Sequence, residues 1–245
     1  SIRIPSSFCG IVGLKPTFGR VPAWPLSPFG TVAHLGPMTR TVADAALMLT
    51  VISRPDIRDW TALPPDGRDY RIGLEGGIAG LRIAASATFG FVEVHPEVAA
   101  GFEAALAVLA DLGARIERVD PPIGNPGSIF ARTWFPAAGR MLEKVPPKMR
   151  VRLDPGLVAM AEQGTSYSRA EIQDAILERG ELGVAMQRFL TDYDLVATPS
   201  TALPAFAAGV ESPDPERPGR WSEWASFSYP FNLTQQPAIS VPAGF

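Results

Sequence analysis

Short apolar runs bounded by glycine or proline alternate along the chain with longer segments in which apolar residues recur every three or four positions. A short apolar run between turn residues predicts a buried strand, whereas the longer spacing predicts a helix with one face against the core. The predicted strands are residues 11–14, 80–86, 115–119, 195–198 and 238–241. The predicted helices are residues 41–53, 95–113 and a long segment after 168, with helical pieces between 128 and 160.

Polar residues mark where these helices begin. Thr41 and Asp44 form a pair that resembles a capping box, and Ser168 with Glu171 forms a capping box before the long helix. Residues 95–97 read His-Pro-Glu, which places proline at the first helical position and an acid in the first turn. These signals fix the starts of three helices more firmly than periodicity alone.

Prolines predict that the region 128–160 is divided into several helices, because proline lacks the backbone N–H that a helix interior needs. The expected break points are Pro136, Pro146, Pro147 and Pro155. On the long helix after 168 the apolar spacing predicts one buried face. Its expected members are Ile172, Ile176, Leu182, Met186, Phe189 and Leu190.

The order strand, helix, strand over residues 80–119 predicts a crossover unit with parallel strand pairing, and hence an α/β fold. The chain has 25 prolines and 23 glycines, gathered in loops, which favours long surface connections over a helical bundle. Residues 60–80 are the predicted long surface loop. Since no internal repeat or domain boundary is evident, a single domain over residues 1–245 is expected.

Composition and charge narrow the class of protein. Hydrophobic residues make up 46% of the chain, charged residues 19%, and the net charge is −3. These values are typical of a soluble globular protein and lack the positive footprint of nucleic-acid binding. One cysteine and two histidines argue against a disulfide framework or a common zinc site. We therefore expect a cytoplasmic protein without metal, cofactor, nucleic-acid partner or membrane span.

The first seventeen residues hold the strongest motif: Ser1-Ile2-Arg3, then Phe8-Cys9-Gly10, then Gly13-Leu14-Lys15-Pro16-Thr17. This string resembles the core of the amidase signature family, in which the serine of Ser-Ile-Arg attacks the amide carbonyl. The resemblance assigns the role of catalytic nucleophile to Ser1. A serine hydroxyl is a weak nucleophile at neutral pH, so it needs a base and donors for the developing oxyanion.

Two other interpretations of Ser1 compete with the nucleophile. One is an arbitrary first residue, and the other is an N-terminal nucleophile hydrolase, in which the α-amine activates residue 1. The flanking motif residues oppose both interpretations. Pro5 also fits badly into the opening strand that such a hydrolase would need.

The resemblance implies a serine–serine–lysine triad, with the lysine as base and a second serine as proton relay. Glycine-rich backbone just before the nucleophile would supply most of the oxyanion hole. The chain has three lysines, Lys15, Lys144 and Lys148, and none matches the base, which lies upstream of the nucleophile in the family. We therefore expect this chain to be the C-terminal portion of a longer enzyme and inactive in isolation. By the same resemblance, Arg3 supports the nucleophile loop.

Later segments continue the resemblance in the family's order, at residues 36–44, 80–83, 194–199 and 229–238. The last segment resembles the family's Asn-Leu-x-x-x-Pro-Ala motif, which lies near the active site. The predicted substrate-binding residues are Asn232, Thr234 and Gln236, together with Trp224 just before the motif. The implied fold is α/β, with a central twisted mixed sheet, helices on both faces and truncation at both ends.

Structural roles are expected for four other residues that could carry chemistry. Lys15 is expected to be structural, since a lone lysine is usually solvated or paired. Cys9 is expected to be a small buried hydrophobe. His34 and His95 are expected to be loop and helix-start residues rather than catalytic bases.

Three functions remain open from the sequence. The leading hypothesis is an amidase that hydrolyses a linear carboxylic amide to carboxylate and ammonia through a serine acyl-enzyme. The first alternative is the glutaminase component of a glutamyl- or aspartyl-tRNA amidotransferase. The second is a non-catalytic binding module on the same scaffold. A small-molecule amide is the expected partner, with a homodimer as a candidate assembly.

Overall fold

The computed structural model describes residues 2–210 and 224–244. The helices in these ranges are α1 (Arg3–Phe8), α2 (Val42–Ile52), α3 (Pro96–Asp111), α4 (Gly127–Glu143), α5 (Pro147–Arg150), α6 (Pro155–Ser166), α7 (Arg169–Phe189) and α8 (Tyr229–Leu233). The strands are β1 (Val12–Lys15), β2 (Met38–Thr39), β3 (Arg82–Ala85), β4 (Arg115–Arg118), β5 (Leu195–Ala197) and β6 (Ala238–Ser240). A short 3-10 helix covers Gly30–Val32. Across the described ranges, no helix combines the length and apolar character needed to cross a bilayer.

The described strands form two three-stranded sheets with different strand directions. In the first, β1 lies between β2 and β6, and both pairings are antiparallel. In the second, β3 lies between β4 and β5, and both pairings are parallel. Ile83 pairs with Ile116 on one side and with Leu195 on the other. The predicted α/β class with mixed strand directions is therefore confirmed, as is parallel pairing across the β3–α3–β4 crossover.

The predicted helix starts are also confirmed. Thr41 accepts a hydrogen bond from the Asp44 backbone N–H through its side chain. Ser168 and Glu171 exchange both bonds of a capping box at the start of α7. The side chain of His95 accepts from a backbone N–H in the first turn of α3. Each signal acts within three residues, which is why sequence alone could identify it.

The prediction that Pro136 breaks a helix is wrong, because α4 runs continuously from Gly127 to Glu143. Helix α6 packs closely on α4 at this point. A Cβ added to Gly164 would lie 1.9 Å from the backbone oxygen of Phe135, so only glycine permits the approach. We attribute the survival of α4 to this tertiary packing, which offsets the hydrogen bond that proline removes.

The buried face of α7 differs from the predicted one. Ala175, Leu182 and Met186 are buried, whereas the side chain of Ile176 is 56% exposed. The three buried positions are seven and four residues apart and so share one side of the helix. Ile176 lies about 100° around the axis from Ala175. The prediction for Ile176 is therefore wrong, because the small Ala175 occupies the contact face.

Helix α8 is anchored between two hydrophobic clusters. Tyr229 and Leu233 belong to a cluster that contains buried residues of α4, α6 and α7. Phe231 belongs to a second cluster, with Phe89 and Phe227. Because α8 carries Asn232, this anchoring fixes one wall of the candidate site described next.

Candidate active site

Ser1, the predicted nucleophile, lies outside the described residues. The residue that follows it, Ile2, is buried and leads directly into α1. A Cβ on Gly13 would lie 3.1 Å from Ile2 Cγ2, and one on Gly36 would lie 3.0 Å from Ile2 Cδ1. The absence of side chains at both glycines therefore lets the start of the chain pack closely on β1 and the loop before β2.

Arg3 joins α1 to α8. Its Nη2 donates to the backbone oxygen of Ser228 at 2.7 Å and to Oδ1 of Asn232. The guanidinium also lies over the ring of Phe231, 5.7 Å from its centroid. Arg3 is only 8% exposed, and this burial lowers the pKa of its guanidinium to about 9. One buried cation thus connects the start of the chain to a predicted site residue 229 positions away.

Asn232 uses its side chain to bond to the protein on two sides. Its Oδ1 accepts from Arg3, and its Nδ2 donates to the backbone oxygen of Val32 at 2.8 Å. Val32 is fully buried in the cluster that also contains Leu233. Asn232 therefore connects the nucleophile helix, α8 and the loop before β2.

Thr234 and Gln236 form the turn between α8 and β6. Thr234 Oγ1 bonds to the backbone oxygen of Pro230 at 2.9 Å and to Oε1 of Gln236. Between them, Gln235 has a φ of 66°, a left-handed conformation that is uncommon for a residue other than glycine. Its backbone oxygen accepts from the N–H of Phe18 at 3.2 Å, which holds the turn in this conformation.

Lys15 holds the same turn from the end of β1. Its Nζ donates to the backbone oxygens of Pro16, at 3.3 Å, and Gln236. Burial, followed by the nearby charge of Arg3, lowers the pKa of the Lys15 amine to about 6. Lys15 is 2% exposed, which departs from the expectation that a lone lysine is solvated or ion-paired. A buried amine is tolerated here because backbone carbonyls accept its N–H groups.

A third buried basic residue, Arg179 of α7, completes the set and was not singled out from the sequence. Its Nε donates to the Leu233 oxygen at 2.6 Å, and its Nη1 donates to Thr31 Oγ1 at 2.7 Å. Burial lowers the pKa of its guanidinium. None of the ion pairs among the described residues involves Arg3, Lys15 or Arg179. All three instead bond to oxygens of residues 228–236, so this segment is surrounded by basic side chains.

Trp224 lies against α1 rather than against the 232–236 segment. Its ring stacks on Phe8 at 5.5 Å between centroids and contacts Phe206 edge-on at 5.5 Å. Its Nε1 is buried and finds no hydrogen-bond acceptor within the described ranges. A buried indole N–H normally has a partner, so this donor is available to a ligand.

Two further expectations concern Cys9 and metal binding. The prediction that Cys9 is buried is wrong, because it is exposed. Cys9 follows the last turn of α1 and precedes Gly10, whose φ of 62° turns the chain outward at this point. Within residues 2–210 and 224–244, no group of three or more His, Cys, Asp or Glu side chains is arranged to hold a metal ion.

Comparisons with known proteins agree with this assembly of motifs. The family model described as Amidase matches residues 1–245. The chain is 35% identical to an acylamidase of Rhodococcus erythropolis, covering 100% of this chain and 53% of that protein. It is 34% identical to the A chain of glutamyl-tRNA(Gln) amidotransferase from Chloroflexus aurantiacus, covering 100% of this chain and 55% of that protein. The solved structure of a bacterial aryl acylamidase of the amidase signature family superposes with a TM-score of 0.85 at 27% identity, covering 100% of this chain and 54% of that one.

The chain belongs to the amidase family, as the first motif predicted. It also has the amidase signature fold. This is a family of hydrolases that act on carbon–nitrogen bonds. The chain spans about half the length of the curated relatives it matches.

Proposed function

We propose that the whole protein is an amidase that hydrolyses a linear carboxylic amide to carboxylate and ammonia, with Ser1 as nucleophile. The observation that carries the proposal is the family match over residues 1–245, which includes the Ser1-Ile2-Arg3 motif. The bond between Arg3 and Asn232 supports it, since it joins that motif to the late motif of the chain.

The proposed reaction has two halves. Ser1 Oγ attacks the amide carbonyl carbon while a base takes its proton, and the oxyanion of the tetrahedral intermediate is held by N–H donors. The amine leaves with a proton, and water then hydrolyses the acyl-enzyme to release the carboxylate and free Ser1. By family resemblance the base is a lysine upstream of Ser1. Lys15 is a poor candidate, because its Nζ is already bonded to two carbonyl oxygens.

In this proposal the residues around the nucleophile have different tasks. Arg3 and Asn232 position the nucleophile helix against α8, since both spend their polar atoms on protein groups. Thr234 and Gln236 remain candidates for substrate contact from the turn before β6. Trp224 has the clearest capacity to bind substrate, because its buried Nε1 is an unused donor among the described residues.

The test is ammonia release from a panel of aliphatic, aromatic and cyclic amides by the full-length gene product. Ser1→Ala should lower kcat by about 10³-fold or more, because the acyl-enzyme can no longer form. Ser7→Ala is the matched control on α1, where the hydroxyl makes only a long contact of 3.5 Å with Thr201. Its activity should stay within a few-fold of the parent. Release that survives Ser1→Ala in folded protein would overturn the assignment.

A second candidate is supported by the 34% identity to the tRNA amidotransferase chain, which is almost as high as the identity to the acylamidase. The chain reads Asn-Leu-Thr-Gln-Gln-Pro where the amidotransferase glutaminase usually has Asn-Leu-Ala-Gly-x-Pro, which favours the general amidase. Glutamine-dependent amidation of misacylated tRNA, together with copurification of a partner protein, would favour the second candidate. Absence of hydrolysis on every substrate would favour a non-catalytic binding module.

A further inference from the structure

A cavity of about 250 Å³ lies beside the candidate active site, and neither Arg3 nor the 228–236 segment lines it. Residues of the 17–35 loop and residues 59–61 form its wall. The apolar part of this wall includes Phe18, Val21, Ala23, Leu26, Ala33 and Leu35. An apolar cavity of about 150 Å³ already accommodates benzene, so this one has room for an aromatic ring with a short substituent.

His34 places a single unused hydrogen-bonding atom in the wall of this cavity. Its Nδ1 lies 3.1 Å from the backbone oxygen of Val32, an acceptor, so Nδ1 carries the proton. The lone pair of Nε2 is then an acceptor. Nε2 is buried and has no hydrogen-bond partner in the part of the chain that the structure describes. An edge contact with Phe18, 5.6 Å between ring centroids, fixes the orientation of the imidazole.

The surroundings keep this imidazole neutral. Burial is the largest cause, and the charges of Lys15, Arg3 and Arg179 add to it, so the pKa of His34 falls to about 3. Nε2 therefore remains an acceptor throughout the physiological pH range. The same basic side chains disfavour a cationic ligand in the cavity.

The other polar side chain of note in the wall is already satisfied. Asp59 accepts from the N–H of Ala23 and from both the N–H and the hydroxyl of Thr61. At the rim, Trp60 is 82% exposed, although a large aromatic ring is normally buried. An apolar cavity with one convergent polar atom and an exposed aromatic rim has the properties of a small-molecule site.

We propose that this cavity binds an uncharged, mainly apolar small molecule that donates one N–H or O–H hydrogen bond to Nε2 of His34. The proposal goes beyond the amidase function, because binding there does not require Ser1. Aromatic carboxamides, phenols and aromatic alcohols have the required chemistry. Carboxylates lack a donor, and amines are cationic at neutral pH.

The test compares benzamide with acetophenone, two compounds of similar shape of which only benzamide has N–H donors. Binding is measured by isothermal titration calorimetry on the full-length gene product carrying Ser1→Ala, so that no ligand is hydrolysed whether or not the amidase proposal holds. We expect benzamide to bind about 3- to 10-fold more tightly than acetophenone, the ratio that one net hydrogen bond supplies. In His34→Leu the two ligands should bind equally.

A second variant tests the location without touching His34. Ala33→Phe fills the cavity and should weaken both ligands about 10-fold or more, since their apolar surface can no longer be buried there. Ala107→Phe, at an exposed position of α3, is the matched control and should leave both affinities unchanged. The proposal is overturned by a benzamide preference that survives His34→Leu, by affinities insensitive to Ala33→Phe, or by the lack of saturable binding in folded protein.

Discussion

The site region, formed by α1, β1 and α8, and the crossover unit β3–α3–β4 treat charge in opposite ways. In the crossover unit, Arg118 pairs with Glu103 at the surface, where the two side chains are 64% and 47% exposed. In the site region, Arg3 and Lys15 are buried and bond to neutral oxygens of the 228–236 segment. One region keeps its basic groups in water, and the other takes them into the interior.

The difference shows where the structure depends on long-range contacts. An exposed ion pair contributes little, because water and salt screen it. A buried cation is tolerated only when its donors have acceptors, so its surroundings must be correctly placed. The acceptors of Arg3 lie 225 and 229 positions away along the chain. The site region is therefore held together by the fold as a whole, whereas the crossover unit is held by near neighbours.

Replacement of Arg3 should produce the largest effect on stability. In Arg3→Met, the Ser228 oxygen and Asn232 Oδ1 lose their donor in a buried setting, which should lower the free energy of unfolding by about 2 to 4 kcal/mol. The measurement is urea unfolding of the full-length gene product. Arg118→Met is the matched control in the crossover unit and should leave the midpoint unchanged. Equal shifts for the two variants would remove the contrast between the regions.

Two glycines give the next largest contrast. A Cβ on Gly13 of β1 would lie 2.1 Å from Ser6 Oγ and 2.6 Å from Ser6 Cβ, so Gly13→Ala should destabilise by about 1 to 3 kcal/mol. In α3, a Cβ on Gly101 meets nothing within 4 Å. Gly101→Ala should therefore stabilise by about 0.5 to 1 kcal/mol, as is typical of a helix interior. Thermal unfolding of both variants checks the opposite signs, and a stabilising Gly13→Ala would contradict the close packing of α1 on β1.

The pH dependence of stability isolates Lys15. Its pKa is about 6 in the folded protein against 10.5 for the free side chain, so between these values the unfolded state binds more protons. Stability should then rise with pH over this window, by at most about 1.4 kcal/mol per pH unit. Lys15→Met removes the titrating group and should flatten the rise. Unfolding of both proteins at about pH 7 and pH 8 measures the difference, and parallel curves would show that Lys15 stays protonated.

Much of the fold could be predicted because its signals are local. The capping pair of Thr41 and Asp44, and the capping box of Ser168 and Glu171, act within one helical turn. The strand–helix–strand order of residues 80–119 indicated parallel pairing through the handedness and length of a crossover. Pro136 misled the prediction, because the glycine that permits close packing around it belongs to another helix.

The candidate site could be predicted only in part. The motif around Ser1 and the late motif at residues 229–238 indicated which segments carry the chemistry. Periodicity carries no information about the hydrogen bonds of Arg179, because its acceptors belong to α8 and to the loop before β2. The burial of Lys15 escapes prediction for the same reason, since its acceptor at Gln236 lies 221 positions away.

The most direct test of the central claim is to locate the acyl group during turnover. The full-length gene product is mixed with an activated ester or amide that acylates faster than it deacylates, quenched in acid, digested and analysed by mass spectrometry. The acyl mass should appear on the peptide that contains Ser1, and it should be absent from Ser1→Ala. An acyl group on another residue, or turnover by Ser1→Ala at the parent rate, would contradict the assignment of Ser1 as the nucleophile.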